Sequence, residues 1–149
     1  MARAFDGALG GAGATVALTG LRQALARAGL VETSAPEQVV GRLEQLGLVD
    51  DWSKGSRRAL TVFAHFAYGV GIGAALGLLR RERGGLGEET AVGSALGLLS
   101  WAFNWTALLP MLGVHTPPWR QHSPKVLLPV LDHAFFGAVW GVIFRARRS

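Results

Sequence analysis

Two stretches of the chain place a histidine ahead of regularly spaced glycines. Residues 65–73 read HFAYGVGIG, and residues 133–141 read HAFFGAVWG. In both stretches an aromatic residue and then a glycine follow the histidine after two intervening residues, and a second glycine comes four residues later. Asp132 precedes the second stretch. Imidazole and carboxylate groups together can relay protons, and two histidines can act as the axial ligands of a haem iron.

Other chemistry finds less support in the sequence. The chain has no cysteine, which excludes disulfides and thiolate metal sites, and zinc would have only two or three fixed ligands. Ser94 and Ser100 lack the G-x-S-x-G context of a nucleophile elbow, and the GGAGAT segment lacks the Lys-Ser/Thr of a phosphate loop. We therefore predict no catalytic site and no metal site, and we do not expect an enzyme.

Long apolar runs must hold the two histidines. Residues 59–79 carry no formal charge and lie between Arg57-Arg58 and Arg80-Arg81. Further apolar runs cover 90–113 and 126–144, and a weaker one, rich in glycine and alanine, covers 5–21. About 20 apolar residues are enough to cross a bilayer. Only 17% of the residues are charged, against about 25% in a typical soluble domain.

These runs predict an all-α membrane protein with a single transmembrane domain over 1–149. Four transmembrane helices are expected over 5–27, 58–80, 89–113 and 124–146. A short amphipathic surface helix is expected over 35–46, in the first connection, because Ser34 can cap it and Gly47 suits its end. Asp6 and the weak, glycine-rich apolar run argue against a cleaved signal peptide, so we expect the N-terminal segment to be retained.

The histidine motifs indicate an internal repeat. They lie 68 residues apart (133 minus 65), and Asp6 aligns with Glu89 at an offset of 83. The two offsets differ by 15 residues (83 minus 68). The connection within the first hairpin is longer than that within the second by about this number, because it holds the surface helix. We therefore predict two tandem helical hairpins of the same orientation, related by a pseudo-twofold axis along the membrane normal.

Small residues spaced four apart form one ridge on each predicted helix, in the manner of GxxxG motifs. Helices in lipid associate where small residues let their backbones approach. The ridges should therefore face one another, while bulky side chains such as Phe63, Phe103 and Trp140 should cover the outside. The predicted helix-packing residues are Gly7, Gly11, Gly69, Gly73, Gly77, Gly93, Gly97, Gly137 and Gly141.

The same ridges carry polar residues at similar depth. His65 and His133 each lie six or seven residues inside their helices, roughly 10 Å below one membrane face. The antiparallel helices bring Thr19 and Asn104 to a similar level. Buried polar groups must find partners in lipid, and ionisable ones are functional candidates. The predicted polar layer is Thr19, His65, Asn104, Asp132 and His133.

The chain resembles a family of small, uncharacterised bacterial and archaeal integral membrane proteins built from two helical hairpins. Their second and fourth helices carry an H-x-x-[FY]-G-x-x-x-G motif. The matching residues here are His65, Tyr68, Gly69 and Gly73, and then His133, Phe136, Gly137 and Gly141. The resemblance covers most of residues 5–145. It implies a four-span inner-membrane protein with no established activity.

Three roles follow from these predictions. The leading one is a structural or accessory membrane protein that forms a homo-oligomer or binds a larger membrane complex, with the histidines fixing helix register. The alternatives are a proton or small-solute transport element using the His65 and His133 layer, and a redox carrier with haem between those histidines. The lipid bilayer is the expected partner, and the leading role requires no cofactor. No nucleic-acid partner is expected, because the basic residues flank apolar runs. We expect a multi-pass protein of the cell (inner) membrane with cytoplasmic termini.

Overall fold

The structure, a computed structural model, describes residues 1–29, 35–81, 84–121 and 123–148. This part of the chain contains helices and no strand, which confirms the predicted all-α class. A π-helical turn covers Asn104–Leu108, and a 3-10 turn covers Pro118–Arg120. The α-helices are α1 (Ala2–Arg27), α2 (Ala35–Gln45), α3 (Lys54–Leu79), α4 (Leu86–Phe103), α5 (Leu109–Met111) and α6 (Ser123–Ala146).

Three helical stretches are long and apolar enough to cross a membrane. They are Lys54–Leu79, Leu86–Met111 and Leu127–Ala146. The protein buries only 22% of the most apolar window of the first and 33% of that of the other two. Their apolar side chains therefore face mainly outward, which is typical of surfaces that contact lipid or another protein. Helix α1 has 26 residues but is not among the three, since glycine and alanine contribute little hydropathy.

Local signals explain where the structure departs from the predicted bounds. Helix α3 begins at Lys54 rather than at residue 58, because the Ser53 hydroxyl accepts a hydrogen bond from the Ser56 N–H at 3.1 Å. The predicted continuous helix over 89–113 is interrupted near Pro110, which has no N–H and would clash with the carbonyl four residues earlier. A π-turn takes its place, and the Leu109 N–H bonds the Asn104 carbonyl.

Glycine backbones form the contacts within two helix pairs. Helix α1 packs along α3, and α4 packs along α6. Gly7 and Gly11 lie against the Gly69–Gly77 side of α3, while Gly93 and Gly97 lie against Gly137 and Gly141 of α6. An added Cβ would collide with atoms of the facing helix at each of the nine predicted packing glycines, which on α3 are Gly69, Gly73 and Gly77. The small-residue faces therefore set how closely the helices of each pair approach.

Two neighbouring glycines of α3 test this packing. A Cβ at Gly73 would lie 2.6 Å from the Cα and 2.8 Å from the N of Gly11, both rigid backbone atoms, whereas a Cβ at Gly71 meets nothing within 4 Å. We expect Gly73→Ala to lower the free energy of unfolding by about 1–3 kcal/mol, as overpacking does. Gly71→Ala should leave it unchanged or raise it by up to about 1 kcal/mol. Denaturation in mixed micelles, followed by circular dichroism, measures both, and equal effects would contradict the packing.

Trp140 joins the two pairs, and the prediction that it faces outward is wrong. Its side chain is fully buried, and its indole N–H donates to the carbonyls of Gly7 at 3.1 Å and Gly73 at 3.2 Å. The absence of a side chain at Gly10 leaves room for the ring, since a Cβ there would lie 3.0 Å from it. Phe63 and Phe103, in contrast, are largely exposed, as predicted. Size alone therefore does not decide which aromatic side chains face outward.

The two pairs meet unevenly. Helix α6 packs against α1 as well as α4, whereas α3 and α4 approach each other at few places within the described residues. The buried apolar cluster accordingly follows the α1–α6 side. Its members are Ala14, Leu18, Leu76, Phe136, Trp140 and Phe144. Helix α2 packs on α3 near the end of the bundle where α3 begins.

Candidate functional site

A cavity of about 310 Å³ lies between the long helices, beneath α2. Four of the five residues of the predicted polar layer line it: His65, Asn104, Asp132 and His133. The fifth, Thr19, lies beside it and contacts His65. Two further polar residues, Arg22 and Tyr68, line the cavity and are absent from the predicted layer. Apolar side chains from α2 and from the region around α5 complete the wall.

His65 is held by a side chain of the facing helix. The Thr19 hydroxyl donates to the Thr15 carbonyl at 2.8 Å and lies 3.2 Å from Nε2 of His65. A hydroxyl has only one proton to donate, so in this arrangement Nε2 carries a proton and donates to Thr19. In the neutral ring Nδ1 is then the acceptor. The bond joins α1 to α3 and fixes the orientation of the imidazole.

His133 is held by its own helix. Its Nδ1 lies 2.8 Å from the Pro129 carbonyl, one turn earlier in α6. A carbonyl only accepts, so Nδ1 carries the proton and Nε2 of the neutral ring is the acceptor. Gly97 lets α4 approach α6 closely at this level, because a Cβ there would collide with the carbonyl of His133. In each histidine, therefore, only one ring nitrogen forms the hydrogen bond that orients the ring, and the other takes no part in that bond.

Asp132 forms an ion pair with Arg22, which joins α6 to α1. The two side chains are 9% and 19% exposed, so both charges are largely removed from solvent. Charges at such positions persist only when they are paired. In the sequence, Arg22 looks like a basic residue that closes an apolar run. Its pairing was missed because one-dimensional spacing does not show which helix faces Asp132.

Asn104 lies where the π-turn begins. Its side-chain amide donates to the Tyr68 hydroxyl and, at 2.7 Å, to the Ser100 carbonyl. The wider π-turn allows two consecutive residues, Asn104 and Trp105, to be buried together, at 6% and 5% exposure. Turns of this kind often occur at functional sites. Tyr68 was identified only as the aromatic residue of its motif, and its counterpart Phe136 also lines the cavity.

A second charged cluster joins α3 to α4 at the opposite end of the bundle. Glu89 is 2% exposed, and its carboxylate accepts hydrogen bonds from Arg80 at 3.2 Å and from the Gly84 N–H at 2.7 Å. Arg80 also pairs with the exposed Glu88 at 2.6 Å. These hydrogen bonds connect the end of α3 to the start of α4.

Metal ligation requires a denser cluster of donors than these residues provide. Within the described ranges, no group of three or more His, Cys, Asp or Glu residues is arranged to hold a metal ion.

Comparison with known protein families, with curated proteins and with solved structures found no match for the chain.

Proposed function

We propose that the chain is a four-span protein of the inner membrane with cytoplasmic termini, built from an α1–α3 hairpin and an α4–α6 hairpin. Three helices are sufficiently long and apolar on their own. Helix α1 joins them in the bilayer because Gly7 and Gly11 place its backbone directly against α3. Close packing of small residues is a principal source of helix association in lipid.

Equivalent contacts in the two pairs support their origin by duplication. Gly11 meets Gly69 and Gly73 as Gly93 meets Gly137 and Gly141. Matched residues of α3 and α6 differ by 68, and those of α1 and α4 by 82 (93 minus 11), one fewer than the predicted offset of 83. In this register Glu89 takes the place of Gly7 rather than of Asp6. The backbone contacts therefore align the hairpins more reliably than the acidic residues do.

Within this bundle, the cavity acts as a binding site for a proton or a small polar solute during transport. The observation that carries this proposal is that His65, His133, Asn104 and the Arg22–Asp132 pair surround one space of about 310 Å³. Polar contacts that serve only to fix helix register would be packed closed, since protein interiors approach the density of crystals. Intramembrane ionisable groups around a cavity are typical of transport pathways.

Flux through reconstituted vesicles tests the transport role. Purified wild type, His65→Ala and His133→Ala would be compared for proton entry, with a trapped pH-sensitive dye, and for swelling in glycerol or urea. We expect wild type to exceed empty vesicles in one of these measurements and both variants to fall to the level of empty vesicles. Thr106→Val is the matched control, because Thr106 lies in the same π-turn but is exposed outside the cavity.

Flux at the level of empty vesicles in all four proteins would reject transport, and equal flux above that level would reject the role of the two histidines. The first result would leave the structural or accessory role, in which the exposed apolar faces of α3 and α4 contact a larger membrane partner or a second copy. Those faces include Phe63, Leu79, Leu99 and Phe103, each more than half exposed.

A haem-binding redox role is the second candidate, because both histidines line the same cavity. Each has one nitrogen oriented by a hydrogen bond, and the other is available as a ligand. The visible absorption spectrum of protein purified from its native membrane tests this role. Absence of a Soret band rejects it without affecting the transport proposal.

A further inference from the structure

A second hollow, a groove of about 610 Å³, lies between α1, α2 and α3. Four basic residues line it, together with two acidic ones from α2, Glu37 and Glu44. The basic residues are Arg22, Lys54, Arg57 and Arg58. The groove therefore has an excess of positive charge. It is distinct from the cavity between the long helices, although Arg22, Pro36 and His65 line both.

Two of these cations are already engaged by carboxylates. Arg22 pairs with Asp132, and Arg57 pairs with Glu44. Lys54 and Arg58 are exposed and form no ion pair within the described residues. They are four residues apart in the first turns of α3 and so lie on the same side of that helix. Both are therefore available to an anion in the groove.

The position of Lys54 and Arg58 along α3 indicates which kind of molecule carries the anionic group. Lys54 begins the stretch that is long and apolar enough to cross a membrane, so the pair lies where that stretch meets the headgroup region. From there the groove wall continues inward along α3 through Thr61 and Val62, and Val62 is 52% exposed. His65 also lines the groove further along α3, so the apolar part of a phospholipid would lie against the exposed Val62 face of the wall.

The connection between α2 and α3 adds an interfacial surface beside the groove. Leu46, Leu48 and Trp52 are 54%, 64% and 45% exposed. Tryptophan is enriched at the membrane–water interface, where its ring lies at headgroup level. Exposed apolar side chains next to unpaired cations favour a lipid over a soluble anion, because both parts of the lipid find a partner.

We propose that this groove binds an anionic phospholipid, with its phosphate between Lys54 and Arg58 and an acyl chain along Val62. Basic pockets between transmembrane helices on the cytoplasmic side of membrane proteins bind the headgroups of such lipids. With cytoplasmic termini, as proposed above, this groove would offer the same chemistry to the opposite leaflet. The inference rests on the membrane insertion proposed above. A chain that did not insert would fail to reconstitute with any lipid, and that failure is distinguishable from loss of lipid preference.

Lipid titration tests the site. Labelled phosphatidylglycerol would be titrated into the detergent-solubilised full chain, with labelled phosphatidylcholine as the neutral comparison. We expect wild type to prefer phosphatidylglycerol and Lys54→Gln/Arg58→Gln to bind it about 30-fold more weakly, or about 5-fold for either single variant. Arg27→Gln/Arg120→Gln removes the same charge from exposed positions at the same end of the bundle, outside the groove, and should bind like wild type.

Three results would overturn the proposal. Unchanged affinity in the Lys54 and Arg58 variants would show that the groove is not the site. An equal loss in the Arg27/Arg120 control would show a general effect of charge. Displacement of the lipid by an equal concentration of glycerol phosphate would show a site for a soluble phosphate. The single variants retain one cation each, so the test holds even if the double variant does not fold.

Discussion

Replacing Trp140 with alanine is expected to lower the free energy of unfolding by about 3–5 kcal/mol, the usual cost of removing a large buried aromatic side chain. The indole stacks on Phe144 at a centroid distance of 4.7 Å and an interplanar angle of 15°. It also donates to carbonyls of both α1 and α3. The truncation would therefore remove packing and hydrogen bonds at the place where the two helix pairs meet. Denaturation in mixed micelles, followed by far-UV circular dichroism, measures the change.

Two comparisons separate the contributions of Trp140. Trp140→Phe keeps an aromatic ring but removes the N–H, so it should cost less than alanine and more than the roughly 1 kcal/mol of an ordinary hydrogen bond. Trp119→Ala removes a tryptophan that is 69% exposed and should cost less than about 0.5 kcal/mol. If the alanine variants at 140 and 119 proved equally stable, Trp140 would not join the helix pairs.

Breaking the Arg22–Asp132 pair is expected to have an effect of similar size. Arg22→Leu leaves a buried carboxylate without its partner, and Asp132→Leu leaves a partly buried guanidinium. Loss of one member of a buried pair typically costs about 3–5 kcal/mol. The double variant Arg22→Leu/Asp132→Leu removes both charges, and a buried pair replaced by apolar side chains often costs little. We therefore expect it to be more stable than either single variant.

The double-mutant cycle measures the coupling within this pair. Unfolding in mixed micelles gives the three free-energy changes. An interaction of more than about 3 kcal/mol is expected, because the two single costs together exceed the smaller cost of the double variant by at least one of them. Costs that simply add would mean that Arg22 and Asp132 act independently. Arg57→Leu with Glu44→Leu is a matched control, because Glu44 is 47% exposed and that pair should couple by less than about 1 kcal/mol.

Local periodicity explains why much of the fold could be predicted. A glycine every fourth residue specifies one face of a helix without any knowledge of its neighbours, and in the structure each of those faces meets a partner. The same spacing placed His65 and His133 beside the contact faces, on the wall of one cavity. Hydropathy indicated three of the helices clearly and α1 only weakly, and the three helices long and apolar enough to cross a membrane are the same three.

Pairwise and backbone effects account for what the sequence did not reveal. Arg22 became a cavity residue only because α1 lies against α6, which no single helix specifies. Trp140 is buried because Gly10, on another helix, leaves space for it. The π-turn that directs Asn104 and Trp105 inward depends on Pro110 several residues later, and a kink or a helix end would have satisfied the same proline.

The weak hydropathy of α1 has a consequence for biosynthesis. Transfer from the translocon into lipid releases little free energy for a segment dominated by glycine and alanine. We therefore expect α1 to remain in the translocon after it leaves the ribosome. It gains a partner only after α3 has been synthesised, when their glycines can meet. In the four-span arrangement proposed above, α1 and α3 would then enter the bilayer together, and a chain truncated before residue 54 would fail to integrate.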